Sequence, residues 1–173
     1  MMIMMKEKIP IVNDKDEVVD IKSISEVHKK GLIHREAYVY LINSLGKVLL
    51  QKRKDNGLWD HSAAGHFSEH ESYIEGAKRE LEEELGVRIN LGDLKEITYK
   101  RIDSIKPNKK NLRFVKVYLV KKKIDLNDFK IDYNELTEIK FFDKKELQNL
   151  LNQPHLLTRS AKVLIEEYIM NLI

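Results

Sequence analysis

The chain has 173 residues, of which 42% are hydrophobic and 34% charged, and a formal net charge of +3. That composition is ordinary for a soluble globular protein, and the length suits one domain with a sizeable core. The slight positive excess gives no ground for nucleic-acid or membrane binding, no apolar run is long enough to span a bilayer, and zero cysteines exclude disulfides and thiolate metal sites.

The start MMIMMKEKIP is apolar but lacks the charged lead and small-residue site of a cleavable signal, so a cytoplasmic location is the expectation. Ile9 to Val19 reads as a short hairpin turning at Asn13-Asp14-Lys15-Asp16. Its edge could pair two chains into a homodimer. Ser23-Ile-Ser-Glu26 is a capping box that opens a short helix closed by Gly31. His34 to Ile42 and Val48 to Arg53 read as paired strands across the turn Ser44-Leu45-Gly46. After an acidic stretch come a strand over Ile97 to Ile102, a polar loop from Asp103 to Lys110, and a strand from Leu112 to Val120. A short strand, Ile139 to Phe142, leads to a helix over Lys144 to Leu151, and Thr158 caps a last helix reaching Leu172. Strands on both sides of a central helix give an α+β class.

The acidic stretch Gly65 to Val87 organises the chain. Ser72 and Glu75 form a capping box, Gly86 is a left-handed stop, and Ile74, Ala77, Leu81 and Leu85 form a buried stripe. At roughly 100° per residue, Glu80, Glu83 and Glu84 share one face while Glu82 points away. Three carboxylates at i, i+3 and i+4 repel one another and oppose the helix macrodipole. On spacing alone a solvated acidic face is the simpler reading; a hard divalent cation is the other.

The residues settle the choice by resemblance. Gly65, Glu71, Arg79, Glu80, Leu81, Glu83, Glu84, Gly86 and Val87 fill every fixed position of a pattern similar to the Nudix box, G-x5-E-x7-R-E-U-x-E-E-x-G-U. The surroundings His34-Arg35, Gln51-Lys52-Arg53 and Trp59 to His66 resemble the branch related to isopentenyl-diphosphate isomerase. The resemblance implies a single domain over 1–173, with an N-terminal hairpin and helix at 1–31 and the box at 65–87. Its fold would be a Nudix-like mixed sheet sandwiched between helices. It also implies Mg²⁺ or Mn²⁺ held by Glu80, Glu83, Glu84 and the carbonyl of Ala64, and hydrolysis of a small diphosphate substrate.

Within that frame Glu83 or Glu84 acts as base, with Glu135 and Glu138 as later candidates, and Arg79 orients a box carboxylate, with Glu71 as its partner. Lys52 and Arg53 would meet phosphate. Trp59 would cover the cleft or pack. Isomerase resemblance further implies a second metal site of histidines, here His28, His34 and His66, joined by acids of a later strand. The matching positions carry Asn111 and Arg113, and an arginine there would repel a cation, so hydrogen-bonded histidines are the expectation. Two other functions remain on the sequence: an isopentenyl-diphosphate isomerase, and a non-catalytic ligand sensor on the same fold.

Overall fold

The computed structural model describes residues 7–173; residues 1–6, most of the apolar start, lie outside the described residues. Among them the strands are β1 (Lys8–Val12), β2 (Val18–Ser23), β3 (Ile33–Ile42), β4 (Val48–Arg53), β5 (Trp59–Asp60), β6 (Ala63–Gly65), β7 (Lys95–Lys106), β8 (Lys109–Lys121) and β9 (Leu136–Phe142). The helices are α1 (Ile24–Lys30), α2 (Tyr73–Leu85), α3 (Lys144–Leu151) and α4 (Arg159–Glu167).

β3 holds the layers together. Its side chains alternate between two faces, and both faces are buried. Ala37, Val39 and Leu41 join Ala77, Leu81 and Leu85 of α2 in one core. Tyr38, Tyr40 and Ile42 join Leu147 and Leu151 of α3 and Ala161, Leu164 and Ile165 of α4 in the other. Each fully buried leucine contributes about 1.5–3 kcal/mol, so α2, with two such leucines, is fixed against the sheet by its stripe. The sheet is mixed: β3 runs parallel to β8 over ten residue pairs and antiparallel to β4 and β6. The sandwich of helices around a mixed sheet is as expected.

Boundaries differ from the sequence reading in several places. The polar stretch Asp103 to Lys110 is no loop: β7 and β8 stay paired out to Lys106 and Lys109. This arm of the hairpin is exposed on most of its residues, and a strand with no buried face leaves no alternating signal. The last helix stops at Glu167, where Tyr168 leaves helical geometry (φ −127°, ψ −52°), and a 3₁₀ turn Ile169–Asn171 follows. β5 and β6 are too short to register in sequence, and β9 starts earlier, at Leu136.

The N-terminal hairpin pairs with β3 through β1, and its turn is fastened to the rest through Asp16. Asp16, in the left-handed region at φ 61°, accepts from Arg35 Nε at 2.6 Å, Tyr73 OH at 2.9 Å and Tyr99 OH at 2.8 Å. Aspartate tolerates that backbone geometry better than most residues. Its carboxylate thereby ties the turn of β1–β2 to β3, α2 and β7.

Candidate functional site

The capping box at Ser72 and Glu75 is formed, and Gly86 ends α2 at φ 67°. Where β6 meets this helix, backbone and carboxyl come unusually close: a Cβ on Gly65 would overlap the Glu80 carboxyl. Only glycine admits that approach. Arg79 organises the acids from the same helix. It donates to Glu71 (2.7 Å), Glu80 (2.9 Å), Glu83 (2.9 Å) and the His66 carbonyl (2.9 Å). Glu71 in turn accepts the Ser68 N–H at 2.8 Å. Glu82 turns away and pairs with Lys78 at 2.6 Å.

Three carboxylates so placed are electrostatically costly. Burial pushes Glu80 up to about 7, Glu83 adding to the effect and Arg79 opposing it. Burial, with Glu80 beside it, pushes Glu84 well above the usual carboxylate range. Glu84 Oε2 is buried without a hydrogen-bond partner. Among the described residues, only Arg79 gives this face a salt-bridge cation. An oxygen-only donor set with an unpaired buried oxygen suits a hard divalent cation, so Glu80, Glu83 and Glu84 fit Mg²⁺ or Mn²⁺.

These acids line a cavity of about 590 Å³ that extends to the N-terminus of α4. Its floor is a polar chain. The Tyr38 ring stacks on His61 at 4.0 Å, Tyr40 OH lies 2.6 Å from His61 Nδ1, and His61 Nε2 lies 3.1 Å from Ser160 Oγ. Thr158 donates to Asp60 at 2.6 Å. Burial lowers the His61 pKa despite Asp60, which keeps the ring neutral. Arg53 reaches the cavity with two bonds to Asp55, at 2.9 and 2.8 Å, and a longer one of 3.4 Å to Asp60. Arg159 also lines it, with no ion pair among the described residues.

Beside the acids lie three histidines. His28, His34 and His66 each present a ring nitrogen within 4.8 Å of the others. Glu36 stands behind them, buried. Its Oε1 is 3.5 Å from His34 Nε2 and 3.2 Å from His66 Nε2, yet neither nitrogen has a hydrogen-bond partner in acceptable geometry. Its Oε2 faces Arg113 Nε at 2.9 Å and accepts from Tyr38 OH. Burial alone would raise the Glu36 carboxyl, but Arg113, His34 and His66 overrule it and hold it well below the usual range.

The sequence model of the NUDIX domain matches residues 32–166. The chain belongs to the Nudix family. It is 34% identical over 100 residues to an isopentenyl-diphosphate Delta-isomerase of Serratia proteamaculans, a match covering 55% of this chain and 56% of that one. It is 33% identical over 142 residues to Nudix hydrolase 3 of Arabidopsis thaliana, covering 76% of this chain and 18% of the plant protein. The matches thus span about half the length of the isomerase and under a fifth of the plant protein. The fold is shared with DR0079 of Deinococcus radiodurans at a TM-score of 0.69 and 20% identity, over 94% of this chain and 99% of that one.

Of the residues singled out in sequence, the Nudix helix supplies Arg79, Glu80, Glu83 and Glu84 to one cavity wall, and Ala64, Arg53 and Glu135 join them. Lys52, Trp59 and Glu138 do not line it. Lys52 lies over the Trp59 ring at 5.7 Å and 3.8 Å from Glu138, and Trp59 packs edge-on against Phe142 at 5.0 Å. The reason is strand alternation: Gln51 and Arg53 face the cavity from β4, so Lys52 between them faces away. The sequence reading missed Glu36, Tyr38, His61 and Ser160. The signal for Glu36 and Tyr38 was present: with His34 they recur every second residue on one face of the strand. Ser160 reaches the site only through tertiary packing of α4.

Proposed function

We propose that this chain is a divalent-cation-dependent hydrolase that cleaves a diphosphate linkage in a small phosphorylated compound. The observation that carries the reading is the Glu80–Glu83–Glu84 face. It is pressed onto Gly65 at a cavity wall, and a buried carboxylate oxygen there has no partner. Mg²⁺ or Mn²⁺ held by these glutamates and the Ala64 carbonyl would supply Lewis-acid stabilisation of phosphoryl oxygens. Arg79 fixes the carboxylate directions through its four acceptors. Arg53 and Arg159, which also line the cavity, offer guanidinium groups to the phosphates. Glu84, or Glu135, which also lines the cavity, takes the proton of the attacking water. The test is release of phosphorylated products from a panel of nucleoside diphosphate derivatives and isoprenoid diphosphates with Mg²⁺. Turnover of one of them that disappears in Glu83→Gln supports the reading; no turnover across the panel with folded protein counts against it.

The histidine cluster and the isomerase relative favour one rival, isomerisation of isopentenyl diphosphate. Resemblance to that enzyme places an essential cysteine where this chain has Ala64, and the chain has no cysteine at all. Alanine has no transferable proton, so one arm of the acid–base pair is missing. Incubation with isopentenyl diphosphate and Mg²⁺ should therefore give no dimethylallyl diphosphate above a no-enzyme control. Conversion that is lost in Glu83→Gln would replace the hydrolase reading with the isomerase.

A further inference from the structure

We infer that the tip of the β7–β8 hairpin is a phosphate clamp, in which Lys106 and Lys109 together hold a phosphate group of the ligand that enters the cavity. The inference deepens the hydrolase reading by giving its substrate a further point of attachment, and its test needs no turnover.

The clamp follows from strand register. Ile102 stands opposite Arg113, Ser104 opposite Asn111 and Lys106 opposite Lys109. Alternate residues of a strand share one face, so the three pairs form one row, and all six residues line the cavity. The row runs from Ile102 and Arg113, both buried, out to two exposed lysines at the tip. Only Pro107 and Asn108 lie between the strands. The lysine backbones therefore belong to the paired ladder, which fixes the two side chains to one side of the arm.

This placement is unfavourable unless an anion joins it. Like charges directly opposite one another in an antiparallel pair destabilise it. Elsewhere on the hairpin, Lys100 pairs with Glu167 at 2.6 Å, Arg101 with Asp103 at 2.6 Å and Lys116 with Glu96 at 3.0 Å. Among the described residues, neither Lys106 nor Lys109 has a salt bridge or a side-chain hydrogen bond. Asp55 feels Lys109, but Arg53 is the main cause of its lowered pKa and donates two bonds to it. A hairpin tip that needed only solubility would set its lysines against acids, as the rest of this hairpin does. A phosphate group between the lysines replaces their repulsion with two charge-assisted contacts.

Inorganic pyrophosphate is the probe, titrated calorimetrically at roughly physiological salt into full-length protein stripped of metal. The titration is repeated with Glu83→Gln/Glu84→Gln, which cannot turn substrate over. Saturable binding is expected in both proteins. Its affinity should fall about 5-fold in Lys106→Ala and again in Lys109→Ala, and Lys109→Arg should keep it. Lys121→Ala/Lys122→Ala/Lys123→Ala removes more charge beyond the cavity, at the far end of β8, and should leave affinity within about 2-fold because salt screens it. Lys109→Glu places opposite charges face to face; it should melt above wild type without ligand and gain nothing from pyrophosphate. Circular dichroism confirms that each variant is folded. The clamp is overturned by folded wild type that does not bind, by binding that the tip variants leave unchanged, or by an equal loss in the Lys121–Lys123 variant. A Lys109→Glu protein that melts no higher than wild type overturns the repulsion on which the clamp is argued. Binding that behaves as expected in a protein that turns over no diphosphate supports the clamp and counts against the hydrolase reading alone.

Discussion

Binding of Mg²⁺ to the metal-free protein should expel protons. Burial holds Glu80 at about 7 and Glu84 well above the usual carboxylate range. At pH 7 Glu80 is then about half protonated, and Glu84 is shifted in the same direction. A cation requires both ionised, so saturation should release at least about half a proton per chain from Glu80, with Glu84 adding to it. The histidine cluster does not contribute, because Mg²⁺ is a poor partner for imidazole. Stability obeys the same linkage. A carboxyl raised in the fold stabilises it below its unfolded pKa of about 4.5 and loses that contribution as pH rises through 7. For Glu80, whose side chain is 13% exposed, the loss is about 3 kcal/mol. Metal-free wild type should therefore lose stability relative to Glu80→Gln between pH 4.5 and 8. The assay is Mg²⁺ titration in weakly buffered solution with an indicator dye at pH 7, repeated at pH 8.5, where Glu80 is already ionised and the yield should drop. Glu84→Gln should lower the count. Saturable Mg²⁺ binding with no proton release at pH 7 would refute the claim that burial governs these carboxylates.

Glu83→Gln and Glu84→Gln should each lower turnover by orders of magnitude, while Glu82→Gln, whose partner is Lys78, should change it little; equal losses at all three would place the site on the wrong face. Gly65→Ala drives a methyl into the Glu80 carboxyl, and an ångström of misplacement in a catalytic group costs about 100-fold in kcat; its circular-dichroism melt should shift by only a few degrees. Gly86→Ala forces alanine to φ 67° against the Lys130 backbone and should destabilise the fold by about 1–2 kcal/mol in urea titration.

How much of this was legible in the sequence depends on how local the cause was. α2 was fully readable: its cap, stop, buried stripe and acidic face all repeat at helical period within one stretch. β3 was readable as a strand, but its polar members were not read as a site, because Glu36 gains meaning only when Arg113 of β8 and His66 after β6 are brought beside it. Arg113 shows the limit most clearly. In sequence it looked like a charge that repels a cation; in the fold its charge is already used. Lys52 lies off the cavity for a simpler reason, since one step along β4 reverses the face, while Trp59 of β5 packs on Phe142 instead. The polar floor from Tyr40 to Ser160 joins residues far apart in the chain, and no periodicity announces it.

The Asp16 junction bears on where this domain begins. The match to the NUDIX domain starts at residue 32, yet Arg35, Tyr73 and Tyr99 all donate to a carboxylate sixteen residues upstream of that boundary. The same upstream segment brings Glu7, Ile24 and His28 to the cavity wall. A protein trimmed to the family boundary would keep every box residue and still lose a wall of its pocket. Exchanging the first 31 residues between relatives is accordingly a way to reshape what the pocket accepts without altering a single catalytic glutamate.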